Sequence, residues 1–496
     1  MKINIKILAL MPLLAVVAWL LPATGVPAQT FTSLYSFSSP SSGMLNGYTI
    51  SSNRDGCLPQ DELYLSGNVL YGTTTSGGFL AGGTVFQIST DGAHFTNIFN
   101  FHYTADPTIR SGPWPASYAR TGVVLSGNTL YGTTSSGGIN DNDGTVFKVN
   151  TDGTGFQVLH NFNGGDGADP GQAGLILAGD FLYGTTINGG GAAYRGAVFR
   201  IKTDGTDFTN LHVFTATAGP APATNSDGAS SYAGLVLADD TLYGTTTIGG
   251  GSGRGTVFKL HTDGSDFTVI HSFADDGSEG IASLATLALS GDTLYGTAYR
   301  GGSSDNGTVF KVNTDGTGFM VLHTFSGSDG ATPEGRLAVS GNTLYGTAYL
   351  GSSQSSHGTV FQVNADGTGF TNLHLFTSFT GPSNTNSDGG NPTRGVILSG
   401  NTLYGMTLHG GSFGLGTIFS LSLGPSNRLP LDIAVSGDNL VLTWPANATG
   451  LVLQTNGDLT TGGWNDYGGT VATDGNTDRV TILPPKQNLF FRLKSE

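Results

Sequence analysis

Leu70-Tyr71-Gly72-Thr73 is the stretch that decides the fold, because its tyrosine returns as Tyr131, Tyr183, Tyr243, Tyr295, Tyr345 and Tyr404, each inside the same motif. Seven copies spaced by fifty to sixty residues mark a repeat architecture, in which one unit cannot bury its own faces and stacks on its neighbours instead.

Upstream of the motif runs Leu-x-Leu, then Ser-Gly-Asn or a variant, then Thr-Leu-Tyr-Gly-Thr-Thr, as in Val123 to Thr134. Gly-Asn or Gly-Asp between two apolar runs signals a two-residue hairpin, so these are strands A and B. Downstream lies a third strand, C, such as Gly144-Thr145-Val146-Phe147-Lys148-Val149, then a Thr-Asp-Gly turn, as at Thr151-Asp152-Gly153. The step from the Phe of C to the first Phe of the next strand, D, is nine residues in all six cases, from Phe86 to Phe95 through Phe361 to Phe370. A fixed step means a fixed hairpin, and Asp-Gly supplies its positive-φ turn.

The seventh copy reaches Gly416-Thr417-Ile418-Phe419 but has no Thr-Asp-Gly turn and no D strand. An orphan D strand stands at Phe31 to Phe37, ahead of the first A strand. These features predict an all-β chain: a seven-bladed β-propeller of four-stranded antiparallel blades, with the N-terminal strand pairing into the last blade so that no edge is left open. The domains expected are 1–28, a signal peptide; 29–424, the propeller; and 425–496, a small β-sandwich-like module. An eighth blade is the alternative for the last segment, since Ala434-Val435-Ser436-Gly437-Asp438 echoes an A–B turn, but no LYG or GTVF follows it.

Composition agrees. Of 496 residues 79 are Gly, against an ordinary share of about 7%, and only 11% are charged. A net charge of −15 with 20 Lys+Arg argues against a nucleic-acid partner, which needs a basic patch. Cys57 is the sole cysteine, so no intramolecular disulfide forms. Lys2 and Lys6 precede the apolar run Ile7 to Leu21, and Val26-Pro27-Ala28 offers a cleavage site before Gln29. The reading is export to the periplasm, the cell surface or the exterior, as a monomer that is not an integral membrane protein after cleavage.

The repeat GLxLSGNTLYGTTxxGG...GTVFKVNTDGTxFTxLHxF resembles the GloVer tandem repeat, a family of exported bacterial proteins, over roughly residues 31 to 423. The resemblance implies a propeller fold and export. It brings no catalytic residues, and the Trp444-Pro445 and Phe490-Phe491-Arg492-Leu493 segments resemble a C-terminal module common on such proteins.

Alternating strand direction puts A–B and C–D turns on one face and B–C loops and D–A crossings on the other. The second set varies in length: the last D Phe precedes the next motif Tyr by 34 residues from Phe37 to Tyr71 but by 20 from Phe325 to Tyr345. Variable loops on a rigid scaffold are where ligands bind. On this face lie Tyr48, Trp114, Tyr118, Tyr194, Tyr232, Tyr299 and Tyr349, suited to stacking on a glycan or peptide. Here too lies a series of aspartates, Asp55, Asp166, Asp227, Asp276, Asp329 and Asp388, each followed by Gly, with Asp106 in the remaining crossing. Two readings fit the series: Asx turns leading into strand A, or a ring of carboxylates around the channel mouth that binds a cation. His160, His212, His271, His323 and His374 share one position of strand D with Tyr35 and Phe99, which indicates packing rather than imidazole chemistry. Asn140-Asp141-Asn142-Asp143-Gly144 has a calcium-loop flavour, but the twelfth position counted from Asp141 is Asp152, where a bidentate Glu is wanted. No cofactor, metal site or catalytic residue is assigned.

The function expected is non-catalytic binding of glycan or protein ligands through the long-loop face, with Trp114, Tyr118, Tyr194, Tyr299, Tyr349, Asp166, Asp227, Asp276, Asp329 and Asp388 as candidate ligand contacts. The alternative is a glycosidase or lyase built from loop carboxylates at the axial channel, drawn from Asp166, Asp329, Glu334 and Asp388, and marked by two channel carboxylates of raised pKa.

Overall fold

The motif explains the sheet. Its Leu is fully buried in every copy, from Leu70 to Leu403. Its Gly sits opposite the Phe of strand C, as Gly132 does opposite Phe147, and a Cβ on Gly72 would come within 2.5 Å of Phe86 Cζ. Only glycine lets that ring lie across strand B. The second Thr ties B to C through its hydroxyl, with Thr74 to Thr84 at 2.9 Å and Thr134 to Thr145 at 2.8 Å. The first Thr reaches the following copy: Thr73 Oγ1 donates to Thr121 O at 3.0 Å, Thr185 to Ala233 O at 2.9 Å and Thr347 to Arg394 O at 2.7 Å. In the seventh copy this residue is Met406, which joins the apolar seam with the first copy instead.

The computed structural model describes residues 2–6, 15–19, 29–45, 48–102, 116–139, 143–170, 174–351, 357–424, 432–436, 439–445, 451–456, 465–467, 471–474, 477–482 and 490–495. Among them there is no helix. The chain divides into two units, Phe31–Ser422, and Met1–Thr30 with Leu423–Glu496.

The larger unit is β-propeller-like, and each copy forms a four-stranded antiparallel sheet in the order A-B-C-D. The second copy shows the pattern, with Val124–Ser126, Thr129–Thr134, Thr145–Asn150 and Gln157–Asn161. A register shift between the Val and Phe of strand C recurs in copies one to six, as at Val146/Phe147. In the last sheet the strand Thr30–Ser36 lies beside Thr417–Ser422 in the place of D. Phe37 N–H donates to Gly416 O at 3.2 Å, the same bond that Phe162 makes to Gly144.

Between sheets the first Phe of each D strand stacks on the central aromatic of the preceding one. Phe208 lies 3.7 Å from His160, Phe267 3.6 Å from His212 and Phe370 3.6 Å from His323. The N-terminal strand takes both roles, Phe31 on His374 at 3.9 Å and Tyr35 against Phe95 at 4.0 Å. Buried clusters join each of the first six sheets to the next among them, and Phe37, Met406 and Ile418 pack with Leu63, Leu70 and Phe86 of the first. The histidines thus pack as their shared position suggested. The Thr-Asp-Gly glycine is required twice, since Gly153 has φ +83° and a Cβ there would meet Ile98 O of the preceding sheet at 2.6 Å.

In the smaller unit, Asp432–Ser436, Asn439–Pro445, Thr477–Ile482 and Ala472–Asp474 form one antiparallel sheet, and Asn465–Asp466, Leu451–Asn456 and Phe490–Ser495 another. Lys2–Lys6 pairs with Ala15–Trp19. The rest of the segment expected to be a signal peptide, residues 1, 7–14 and 20–28, lies outside the described residues.

Candidate functional site

The aspartate series does not ring a channel. His160, His212, His323 and His374 each direct Nε2 at a carboxylate oxygen of Asp166, Asp227, Asp329 and Asp388, at 2.9 to 3.0 Å, and Tyr35 donates to Asp55 at 2.9 Å. Strand D is the sheet edge opposite strand A, so these pairs tie the D–A crossing to the outer edge. Burial pushes Asp227 and Asp388 up, but hydrogen bonds from the histidine and from Thr215 or Thr377 outweigh it and hold both below the usual carboxylate range. Asp276 departs from the series. It caps its own turn at Ser278 N, 2.8 Å away, and the longer Glu279 reaches His271 at 2.9 Å in its stead.

A second device fixes each crossing. Leu58, Tyr118, Asp169, Ser230, Ala282, Thr332 and Asn391 all have φ between 54° and 56°. Each accepts from the residue just past strand B and donates to the neighbouring B–C loop, as Tyr118 accepts from Ser135 N and donates to Gly82 O. The left-handed turn delivers the chain to the start of strand A.

Those starts line a cavity of about 260 Å³, bounded by Asp61, Glu62 and Leu63 of the first copy, Gly122 and Val123, Gly174 and Leu175, Gly234 and Leu235, Ala285 and Thr286, Glu334 and Arg336, and Arg394. The two residues before the first Leu or Val of strand A are Gly, Ala or Thr in copies two to five. Only copies one, six and seven place charge there: Asp61, Glu62, Arg336 and Arg394, with Glu334 beside them. Of the loop carboxylates considered for chemistry, Glu334 alone lines the cavity.

Burial drives the electrostatics. Asp61 is 6% exposed, its Oδ1 accepts from Glu62 N at 2.6 Å, and its Oδ2 has no hydrogen-bond partner among the described residues. Desolvation pushes Asp61 up to about 7 against the pull of the Arg394 charge, and pushes Glu334 up to about 7 against the same charge. Glu62 is raised too, by burial opposed by Arg336 and Arg394. The Arg394 side chain is anchored by Nε donating to Gln60 O at 3.2 Å.

In the unfolded chain these carboxyls ionise near pH 4. Between pH 4 and 7 the folded state therefore holds the extra protons, and their contribution to stability falls as pH rises through that window. Asp61→Asn, which keeps the acceptor for Glu62 N–H, is expected to raise the unfolding free energy at pH 8 by up to about 4 kcal/mol and to leave it unchanged at pH 4. Melting curves at the two pH values check this, and equal curves at pH 8 would refute the buried-charge account.

Of the predicted aromatics, Tyr194 is 51% exposed, while Tyr118, Tyr299 and Tyr349 are half-buried. Tyr349 is pushed up by burial, then by the charge of Glu334 and by Tyr299, which places these tyrosines near the charged side of the cavity. Tyr118 and Tyr194 share a second cavity of about 240 Å³ with Arg120 and Asp169. Trp114, Asp106 and Asn140 to Asn142 lie outside the described residues, and so does the side chain of Tyr48.

The chain is similar to solved structures at low identity. These include a GH74 enzyme of Niastella koreensis (14% identical, TM-score 0.49, covering 79% of this chain and 58% of that one). Others are the GH74 xyloglucanase from Xanthomonas campestris (12%, 0.48, 84% and 59%) and an oligogalacturonate lyase in complex with manganese (10%, 0.46, 81% and 98%). The chain spans less than two thirds of the length of either GH74 enzyme. No curated protein matches it in sequence. The Gloeobacter/Verrucomicrobia repeat matches residues 110–291, 222–386 and 276–423, more than half of the chain, and the chain belongs to that repeat family.

Proposed function

We propose that this chain is an exported seven-bladed β-propeller, its ring closed by the N-terminal strand, that binds glycan or protein ligands through the B–C and D–A face without transforming them. The observation that carries the reading is what the fold leaves unused there. The repeated histidines and most of the repeated aspartates are consumed in pairs, but five B–C loops hold an apolar side chain out to solvent: Phe79, Ile139, Ile248, Leu350 and Phe413, with Phe79 72% exposed. A crown of exposed apolar groups on one face is the feature of a docking surface.

The two carboxyls raised to about 7 in the axial cavity favour a second reading, a carbohydrate-active enzyme with Asp61 and Glu334 as acid and base. One experiment separates the two: a glycan array and a pull-down on the same sample, followed for product release. The first reading expects binding without turnover, weakened at least tenfold by Phe79→Ser with Phe413→Ser while the melting temperature holds. Released oligosaccharide that disappears in Glu334→Gln establishes the second. Binding indifferent to the loop substitutions sinks the loop-face reading.

A further inference from the structure

We propose that the axial cavity is a binding site for a small molecule carrying a protonated amine, with Asp61 Oδ2 accepting from the ammonium and Glu62 and Glu334 adding negative charge in the same cavity. This does not depend on the loop-face reading.

Three independent features converge. First, Asp61 is buried with one oxygen satisfied by Glu62 N and the other unpartnered among the described residues. An unmade hydrogen bond at a buried carboxylate is costly, and a donor entering the cavity would remove that cost. Second, three carboxyls and two guanidinium groups, all from copies six, seven and one, line the same cavity, so with every group ionised the charged wall has one negative charge more than it has positive. A hydroxyl supplies a donor but leaves that imbalance, whereas an ammonium supplies three donors and the missing charge.

Third, the opposite wall is kept open where the fold does not ask for it. Gly174 has no left-handed φ, and a Cβ there would meet nothing within 4 Å. It differs from Gly122, whose Cβ would press on Glu62 O at 2.9 Å, and from Gly234, whose Cβ would lie 2.7 Å from Thr286 Oγ1. Glycine at 174 therefore preserves space, next to the hydrocarbon of Val123 and Leu175. The volume suits one sugar-sized or short-chain ligand. A metal ion is a poorer match, because among the described residues no three carboxylate, imidazole or thiolate side chains converge closely enough to ligate one.

Binding of a cation draws the raised carboxyls into their charged form, so it releases protons near neutral pH. The test is calorimetric titration of the full chain at pH 7 with glucosamine, ethanolamine and putrescine, against glucose and galacturonate as neutral and anionic controls. The proposal expects at least one amine to bind ten times or more tighter than glucose, with a heat that depends on the buffer's ionisation enthalpy in the sense of proton release. Gly174→Leu and Asp61→Asn should each abolish that binding, and Asp61→Asn should do so while melting no lower than the parent at pH 8, which separates lost binding from lost folding. Failure of all three amines to bind, equal affinity for glucose, preference for galacturonate, or binding that survives Asp61→Asn each overturns it.

Discussion

Phe258→Ala is expected to lower the unfolding free energy by about 3–5 kcal/mol. The ring is fully buried, stacks on Phe267 with centroids 5.4 Å apart and meets the edge of Phe214 at 5.6 Å. Phe267 in turn stacks on His212 of the preceding sheet, so the cavity opens in a run of rings that crosses between copies. Gly244 lies opposite Phe258 in the B–C register, and a Cβ there would come to 2.5 Å from Phe258 Cζ and 2.9 Å from Leu235 Cδ2. Gly244→Ala alone is therefore expected to cost about 1–3 kcal/mol by overpacking. In the Phe258→Ala background the added methyl finds room, and the double variant should be more stable than the sum of the single changes implies by about 1 kcal/mol or more. Urea unfolding of the four proteins measures the coupling. Additive effects would mean that the motif glycine answers to something other than the ring above it.

That pairing also shows why so much of the fold was legible. A feature written seven times announces itself, and its local causes (period-two alternation, Gly-Asn and Asp-Gly turns, a fixed step from C to D) act within a few residues. The stacked histidines follow from the same repetition. The carboxylate partners of those histidines are not set at a fixed distance: Asp166 lies 6 residues from His160, Asp227 15 from His212, Glu279 8 from His271 and Asp388 14 from His374. No spacing rule finds them, and Asp276 looked like a member of a series to which Glu279 belongs. The left-handed crossing residues range from Leu58 to Asn391 and share a backbone angle rather than a side chain.

The cavity site was hidden for the opposite reason. Asp61, Glu62, Arg336 and Arg394 each occur once, and reasoning from repetition sets aside what does not repeat. The signal lay in the departures. Aligning the seven starts of strand A shows charge in three consecutive copies, counting the seventh as neighbour of the first, and small residues in the others. In a symmetric scaffold the symmetric positions hold the fold, and a ligand site breaks the symmetry.

The N-terminal strand, Thr30–Ser36, carries the other large expected effect. A chain beginning at Ser38 lacks Phe31, Tyr35 and Phe37. It thereby loses the stack of Phe31 on His374 at 3.9 Å, its contact with Phe419 at 5.3 Å, the stack of Tyr35 on Phe95 at 4.0 Å and the fully buried Phe37. It also loses the bonds from Tyr35 to Asp55, from Phe37 N to Gly416 O and from Ser412 N to Ser36 Oγ. Thr417–Ser422 is left as an unpaired edge beside an apolar seam. Each large aromatic is worth about 3–5 kcal/mol, and whole domains are stable by about 5–15 kcal/mol, so the truncation should abolish the cooperative melt and expose surface that binds a hydrophobic dye. A chain beginning at Gln29 is the control. Because the strand adds to its sheet without a covalent turn, a peptide of residues 29–37 supplied in excess should restore the melt in proportion to its concentration. A truncated chain that melts cooperatively within a few degrees of the control, with no response to the peptide, would mean that the seventh and first copies hold together through Met406, Ile418 and Leu63 alone, and that the strand from the N-terminus covers the ring rather than closing it.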